Sequence, residues 1–243
     1  GVRGGVRREG WTLGLKRNLA CHLARGGIIA HFDDDDLYAP CYLGVMVEKL
    51  MQAVRPRLAP ACRPADVAAA ATLADWHVID LADETFGFVS PRTDPLLPTD
   101  MREAFVYGFG FSYVYTRAAW ALEPFADVEW SEDGNFTAEL VRRGKPVVLV
   151  KTPLVRGVPD ALAAHSHHWD TTSGGEFVDV QCRDGSGYGL RQVSRAVRMG
   201  SKCAPPEPLV PLLDMARAAV AGMDLRRGEV HPLRRQLAER PVA

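Results

Sequence analysis

The chain has 243 residues, 47% of them hydrophobic and 24% charged, with a formal net charge of -1. That is enough chain to bury a sizeable core in an ordinary globular composition, and the near-neutral balance excludes the global basic field of a protein built to coat nucleic acid or membrane. No apolar run approaches the roughly 20 residues of a membrane-spanning helix, and the Gly/Arg-rich start lacks the apolar stretch of a signal peptide. The first residue is not Met, so a fragment or processed product is expected. Cys21, Cys41, Cys62, Cys182 and Cys203 are scattered with no C-x-x-C pair. That pattern argues against a disulfide framework or a zinc site and for a reducing, cytoplasmic compartment.

Taken in order, residues 13–24 repeat Leu15, Leu19 and Leu23 at helical spacing, with the small Ala20 and Ala24 beside them. Gly26-Gly27 ends that helix and leads into the apolar, β-branched run 28–32, read as a buried strand. The order suggests one αβ step of a parallel sheet. After Pro40 a second amphipathic helix carries Leu43, Met46 and Leu50 and ends before the Pro-rich segment 56–64. Residues 67–70, 76–80 and 85–89 read as extended, the last two as a hairpin turning at 82–84. Residues 112–116 alternate like a strand, and a short helix runs from Arg117 to Leu122. Another helix opens at Ser131, the expected N-cap, with Phe136, Leu140 and Val141 as its apolar face and Gly144 as its stop. Residues 146–151 read as a second buried strand. His165, His167 and His168 fall in an expected loop, and residues 191–199 in a helix. From residue 201 a Pro-rich tail with weak helices around 208–222 and 225–239 reads as an appendage.

The most informative stretch is the end of the first strand, where Asp33, Asp34, Asp35 and Asp36 follow one another. Four adjacent carboxylates raise one another's pKa, and a divalent cation held through oxygen is the economical counter-charge. Strand carboxyl ends are also where open α/β sheets bind ligands. The plain alternative is a solvated acidic loop capping the helix that begins near Cys41. Glu132 and Asp133 form a second acidic pair, read either as a general base with a raised pKa or as charge complementing a helix N-terminus. Lys16 and Arg17 are cations able to meet phosphates or to line a solvated helix face. Gly108 and Gly110 allow close backbone approach to a ligand, while Phe109 and Phe111 suit core packing.

The ordered set Lys16-Arg17-Asn18, Gly26 to Pro40 with its Asp-x-Asp, and Trp130-Ser131-Glu132-Asp133 resembles the family 2 glycosyltransferases. The likeness covers roughly residues 13–170. It implies an α/β, GT-A-like (Rossmann-like) domain, with a mixed, mostly parallel sheet flanked by helices, over residues 1–200, and an extension over 201–243. The family's first βαβ unit would precede residue 13, so an N-terminally truncated fold is expected. The resemblance further implies an inverting transfer of sugar from a nucleotide-sugar, by family frequency a UDP-sugar, to a carbohydrate, lipid or protein hydroxyl. Asp33 and Asp35 would hold the nucleotide and Mn²⁺ or Mg²⁺, with Asp35 the direct ligand and Asp34 and Asp36 in support. His165 or His167 would complete the metal site. Asp133 would be the base, with Glu132 its neighbour or substitute. Lys16, Arg17, Asn18, Gly108 and Gly110 would line the nucleotide-sugar. Neither a nucleic-acid partner nor a transmembrane segment is expected. Two rivals stay open: a catalytically degenerate glycan- or partner-binding module of the same fold, and a metal-dependent phosphohydrolase using the Asp33–Asp36 cluster.

Overall fold

The computed structural model describes residues 11–80, 85–95, 97–129, 131–155, 158–167, 201–204 and 206–212. The chain divides into two compact units that it visits alternately. Residues 1–30, 47–72 and 107–148 make the first, and residues 31–46, 73–106 and 149–243 the second. The chain is mixed α/β, with two mixed sheets and flanking helices.

The first unit begins with α1 (Leu13–Leu23), capped where the Thr12 hydroxyl accepts the Leu15 N–H at 3.1 Å. Its last carbonyls are met by the Arg117 guanidinium, which donates to Cys21, Ala24 and Gly26. Then come β1 (Ile28–Ala30), β3 (Ala70–Leu73), β6 (Val114–Thr116), α4 (Arg117–Leu122), α5 (Glu132–Arg142) and β7 (Val147–Val150). The sheet order is β1-β6-β3-β7. β6 runs antiparallel to both β1 and β3. The bonds Ala70 N–H to Pro146 O and Ala74 N–H to Val150 O advance together, the sense of a parallel pair. The expected mostly parallel sheet is therefore corrected. A short 3-10 turn (Gly110–Ser112) feeds β6, with no long crossover helix to return the chain in the parallel sense.

The core of this unit gathers Cys21, Ile29, Ala70, Tyr113, Tyr115, Phe125, Phe136 and Leu140. The Phe136 ring lies 4.6 Å from Phe125 and 5.0 Å from Tyr115. The leucine stripe of α1 does not join it: Leu15, Leu19 and Leu23 face water, and Gly14 and Cys21 turn inward instead. Close backbone approach decides the orientation. Gly14 donates to the Val128 carbonyl, and a Cβ on Gly14 would lie 1.8 Å from the Ala126 oxygen. Asn18 locks the same face. Its Nδ2 donates to the Phe125 carbonyl at 2.7 Å, and its Oδ1 accepts from Trp120 Nε1 and the Phe125 N–H, each at 2.9 Å.

At the start of α5 the expected N-cap is also corrected. Ser131 has φ 62° and makes no capping hydrogen bond, because an N-cap side chain needs extended backbone behind it. The far end follows expectation: Gly144, at φ +65°, turns the chain while its N–H returns to the Val141 carbonyl.

The second unit is built on a five-stranded sheet of order β11-β5-β4-β10-β2, comprising β2 (Leu37–Tyr38), β4 (Trp76–Asp80), β5 (Thr85–Val89), β10 (Ala163–His167) and β11 (Ser201–Cys203). Helix α3 (Arg102–Tyr107) and the ribbon β8 (Leu154–Val155) with β9 (Val158–Pro159) follow, while α2 (Tyr42–Val54) has residues 42–46 in this unit and 47–54 in the first. The expected hairpin is present, in register from Trp76 opposite Val89 to Asp80 opposite Thr85; its turn at 82–84 lies outside the described residues. Residues 163–167, expected as loop, form β10, parallel to β4 and antiparallel to β2. The small Ala163 and Ala164 fit its buried interior position, and the histidines at 165 and 167 take one face by alternation. The tail is not an appendage at its start: Ser201–Cys203 pairs with β5, and Leu209 is buried with Leu37, Ile79 and Phe86. Residues 207–212 form a 3-10 turn. The helices expected at 191–199 and 225–239, and most of that at 208–222, lie outside the described residues.

His77 carries a pH signature within this unit. Its ring is 2% exposed, lies 5.0 Å from Phe88 and has an Nδ1 with no hydrogen-bond partner among the described residues. Burial pushes its pKa down to about 4, with Asp160 opposing. As pH falls from about 6.5 to about 4 the unfolded imidazole takes its proton first, so the fold loses up to about 3 kcal/mol across that window. His77→Phe is expected to raise the urea midpoint more at pH 5 than at pH 8. An equal rise at both would show that titration of His77 plays no part.

Candidate functional site

Two clusters of ionisable side chains stand out, one in each unit. In the second unit the chain leaves Phe32 and turns through the four aspartates, closed by Asp36 N–H to the Asp33 carbonyl at 3.3 Å. The Asp33 N–H donates to Tyr38 Oη at 3.0 Å. Tyr38 in turn packs with Phe32 and Tyr42, with ring centroids 4.7 Å and 5.0 Å away. The four carboxylates have separate fates. Asp34 is exposed. The Asp36 carboxylate is fully buried, with both oxygens 2.9 Å from His165 Nδ1 and one accepting the Ser166 N–H at 2.7 Å. Burial pushes Asp36 up while His165 pulls it back. Burial pushes His165 down, but Asp36, with Asp35 and Asp33 behind it, outweighs that and holds its proton on.

The consequence is geometric. With Nδ1 committed to Asp36, His165 would meet a cation or a phosphate through Nε2, the orientation that a carboxylate behind a histidine enforces in metal sites. The His167 ring lies 5.4 Å from that of His165, and His168 lies outside the described residues. Among the described residues no group of three or more His, Cys, Asp or Glu is disposed to hold a metal ion, as Asp36 is withdrawn to His165. A cation that keeps its waters and takes one or two carboxylates plus phosphate oxygens needs no such cage. Asp33 and Asp35, with His165 behind them, suit that shared mode.

In the first unit, α5 presents Glu132 and Asp133 at its N-terminus. Glu132 turns inward and pairs with Arg17, Nε to Oε1 at 3.0 Å, with the two side chains 3% and 12% exposed. The Arg17 guanidinium also stands 5.9 Å from the Phe125 ring centre. Asp133 accepts the Gly110 N–H at 2.8 Å through Oδ2 and the Gly134 N–H at 2.7 Å through Oδ1. Tyr113 Oη reaches the Asp133 carbonyl at 3.1 Å and fixes the helix turn behind it. Burial pushes Glu132 up to about 7, with Asp133 adding to the rise and Arg17 offsetting part of it. Asp133 is raised too, chiefly by burial, against the pull of Gly110 N–H and Arg17. The pair thus holds a proton near neutrality, as a group poised to accept or donate one does.

No family model, no curated protein and no solved structure matches the chain. The arrangement of the residues is what bears on function. Of the residues expected at a nucleotide-sugar, Arg17 and Gly110 join Glu132 and Asp133, Asn18 is spent on the frame, and Lys16 is exposed. Gly110 serves its carboxylate: a Cβ there would lie 2.8 Å from Asp133 Cβ and 3.1 Å from Arg17 Nη1. Gly108 lies beside the same turn, its Cα 3.8 Å from where a Cβ on Gly134 would sit. The sequence reading missed Tyr113 and the pairings of Asp36 with His165 and Arg17 with Glu132. Separations of 129 residues between Asp36 and His165, and of 20 between Tyr113 and Asp133, leave no local spacing signal to find them by.

Proposed function

We propose that the chain is a metal-dependent inverting glycosyltransferase on a GT-A-type frame, taking sugar from a nucleoside-diphosphate sugar to an acceptor hydroxyl. The observation that carries the reading is the buried Asp36–His165 pair, with Asp33 and Asp35 near enough to help raise the pKa of His165. A buried carboxylate that orients an imidazole beside further carboxylates suits a cation shared with a diphosphate better than it suits a solvated loop. Asp33 and Asp35, and His165 through Nε2 once that nitrogen has given up its proton, would hold Mn²⁺ or Mg²⁺, which when bound would offset the charge of a leaving diphosphate. In the transfer, the acceptor oxygen bonds to the anomeric carbon from the face opposite the diphosphate. The carbon–oxygen bond to the diphosphate breaks with its electron pair, and the hydroxyl proton passes to a carboxylate base; within the first unit Asp133 is the candidate for that role. Support for that last role comes from the raised pKa of Asp133 and from the two N–H donors that fix its oxygens.

A thermal-shift titration with UDP and GDP, with and without Mn²⁺, tests the donor half. Ligand at a hundredfold excess over Kd stabilises by about 2.7 kcal/mol. A Mn²⁺-dependent rise in Tm is expected, with its loss in Asp35→Asn. Absence of a shift with every nucleotide, in a protein that melts cooperatively, sinks the reading. Nucleotide binding without transfer of sugar to any acceptor would point to the degenerate binding module.

A further inference from the structure

Helix α1 buries one face in the first unit and turns a second apolar face to water. Trp11, just ahead of the Thr12 cap, and Leu15, Leu19 and Leu23 are 59%, 39%, 38% and 70% exposed. Spacing of four residues sets such side chains one above another along a helix, so they form one continuous stripe. The outer face of a helix in a globular unit ordinarily carries charge, and a contiguous exposed apolar patch marks an interaction surface. The exposed charges that residues 11–32 themselves carry are of one sign. Lys16, His22 and Arg25 are exposed, and from Trp11 to Phe32 the sequence has no carboxylate. Among the described residues, Asp127 contacts the Thr12 hydroxyl at the N-terminal end of α1, and Glu132 meets Arg17 on its buried side.

We propose that this face of α1 docks on an anionic membrane surface. The stripe of Trp11 and the three leucines enters the boundary between headgroups and acyl chains, while Lys16 and Arg25 stay at headgroup level. The helix lies on the surface and does not cross it; among the described residues no helix is long and apolar enough to span a membrane. A second copy of the chain is a poorer occupant. A two-fold interface sets the same patch against itself, which here brings cations to cations with no carboxylate to match them. An anionic lipid surface supplies the missing charge.

The test uses the full chain, without nucleotide, in flotation with phosphatidylcholine vesicles that do or do not contain phosphatidylserine. Binding to the phosphatidylserine vesicles alone, reversed by salt, is expected. With it should come a blue shift of tryptophan emission that is absent in Trp11→Phe. Leu19→Ser with Leu23→Ser alters only exposed side chains, so its melting should match wild type while binding falls about tenfold or more. Lys16→Ala and Arg25→Ala should each weaken binding roughly fivefold. Failure of the wild type to float, or flotation unchanged in the double serine variant, overturns the proposal. A dimer in sedimentation equilibrium that the double serine variant disperses overturns it in favour of a second copy.

Discussion

Replacing Arg17 by methionine is expected to destabilise the protein by about 3–5 kcal/mol at pH 8, the usual cost of stripping one partner from a buried ion pair. The loss is large against the roughly 5–15 kcal/mol that separates a folded domain from its unfolded chain. Methionine keeps much of the aliphatic stem but leaves Glu132, 3% exposed and beside Asp133, without its 3.0 Å partner. The cost should depend on pH with a definite sign. In the native protein burial raises Glu132 to about 7, above its ordinary 4.5, so between those values the folded state keeps a proton that the unfolded state has released. Stability from this group therefore falls as pH rises through the window, by up to about 3 kcal/mol. Arg17 offsets part of that cost only where Glu132 is ionised. Urea melts of Arg17→Met should accordingly lie closer to wild type at pH 5 than at pH 8. Adding Glu132→Leu should return much of the loss, since an apolar pair can replace a buried ionic one. A loss of equal size at both pH values would mean that Arg17 acts by packing, through its contact with Phe125.

Asp133→Asn is expected to lower the rate of sugar transfer by about 10²–10⁴-fold, the range that a positioned proton acceptor contributes, while leaving Mn²⁺-dependent nucleotide binding near wild type. An amide nitrogen cannot accept a hydrogen bond, so the N–H of either Gly110 or Gly134 loses its 2.8 Å or 2.7 Å partner and the variant should also melt lower, by about 1–3 kcal/mol. Activity must therefore be measured well below its melting point. The discriminating readout is the split between kcat, which should collapse, and the donor's KM, which should hold. A parallel loss of donor binding, or transfer at the native rate, would remove Asp133 from the proton-transfer role.

Much of the frame could be read from local pattern. Gly26-Gly27 follows the end of α1, Arg117 to Leu122 is helical as its spacing predicts, and the pairing of β4 with β5 follows from two apolar runs around a short connection. What could not be read depends on contacts distant in sequence. The leucine stripe of α1 has the periodicity of a core face, yet Gly14 lets the opposite face approach the Ala126 carbonyl, and periodicity holds no information about which face has room to dock. His165 looked like one of three loop histidines because the alanines beside it carry little strand signal; pairing with β4 decides its conformation. The acidic turn was legible as a cluster but not as a division of labour. Only the fold shows that Asp36 belongs to His165.

The parallel pairing of β10 with β4 also sets the order in which the molecule can be made. Ribosomes add about 5–20 residues per second, and domains fold as their last segments emerge. All segments of the first unit have been synthesised by residue 148. The sheet of the second unit takes one edge from Leu37–Tyr38 and the other from Ser201–Cys203, so its closure waits for nearly the whole of the described chain. Asp36 is made 129 residues before His165, an interval of roughly ten seconds. Through that interval the four aspartates remain hydrated and mutually repelling, and only the arrival of β10 draws one of them indoors. A nascent chain halted between residues 148 and 165 would carry every segment of the first unit and an acidic turn still lacking its histidine.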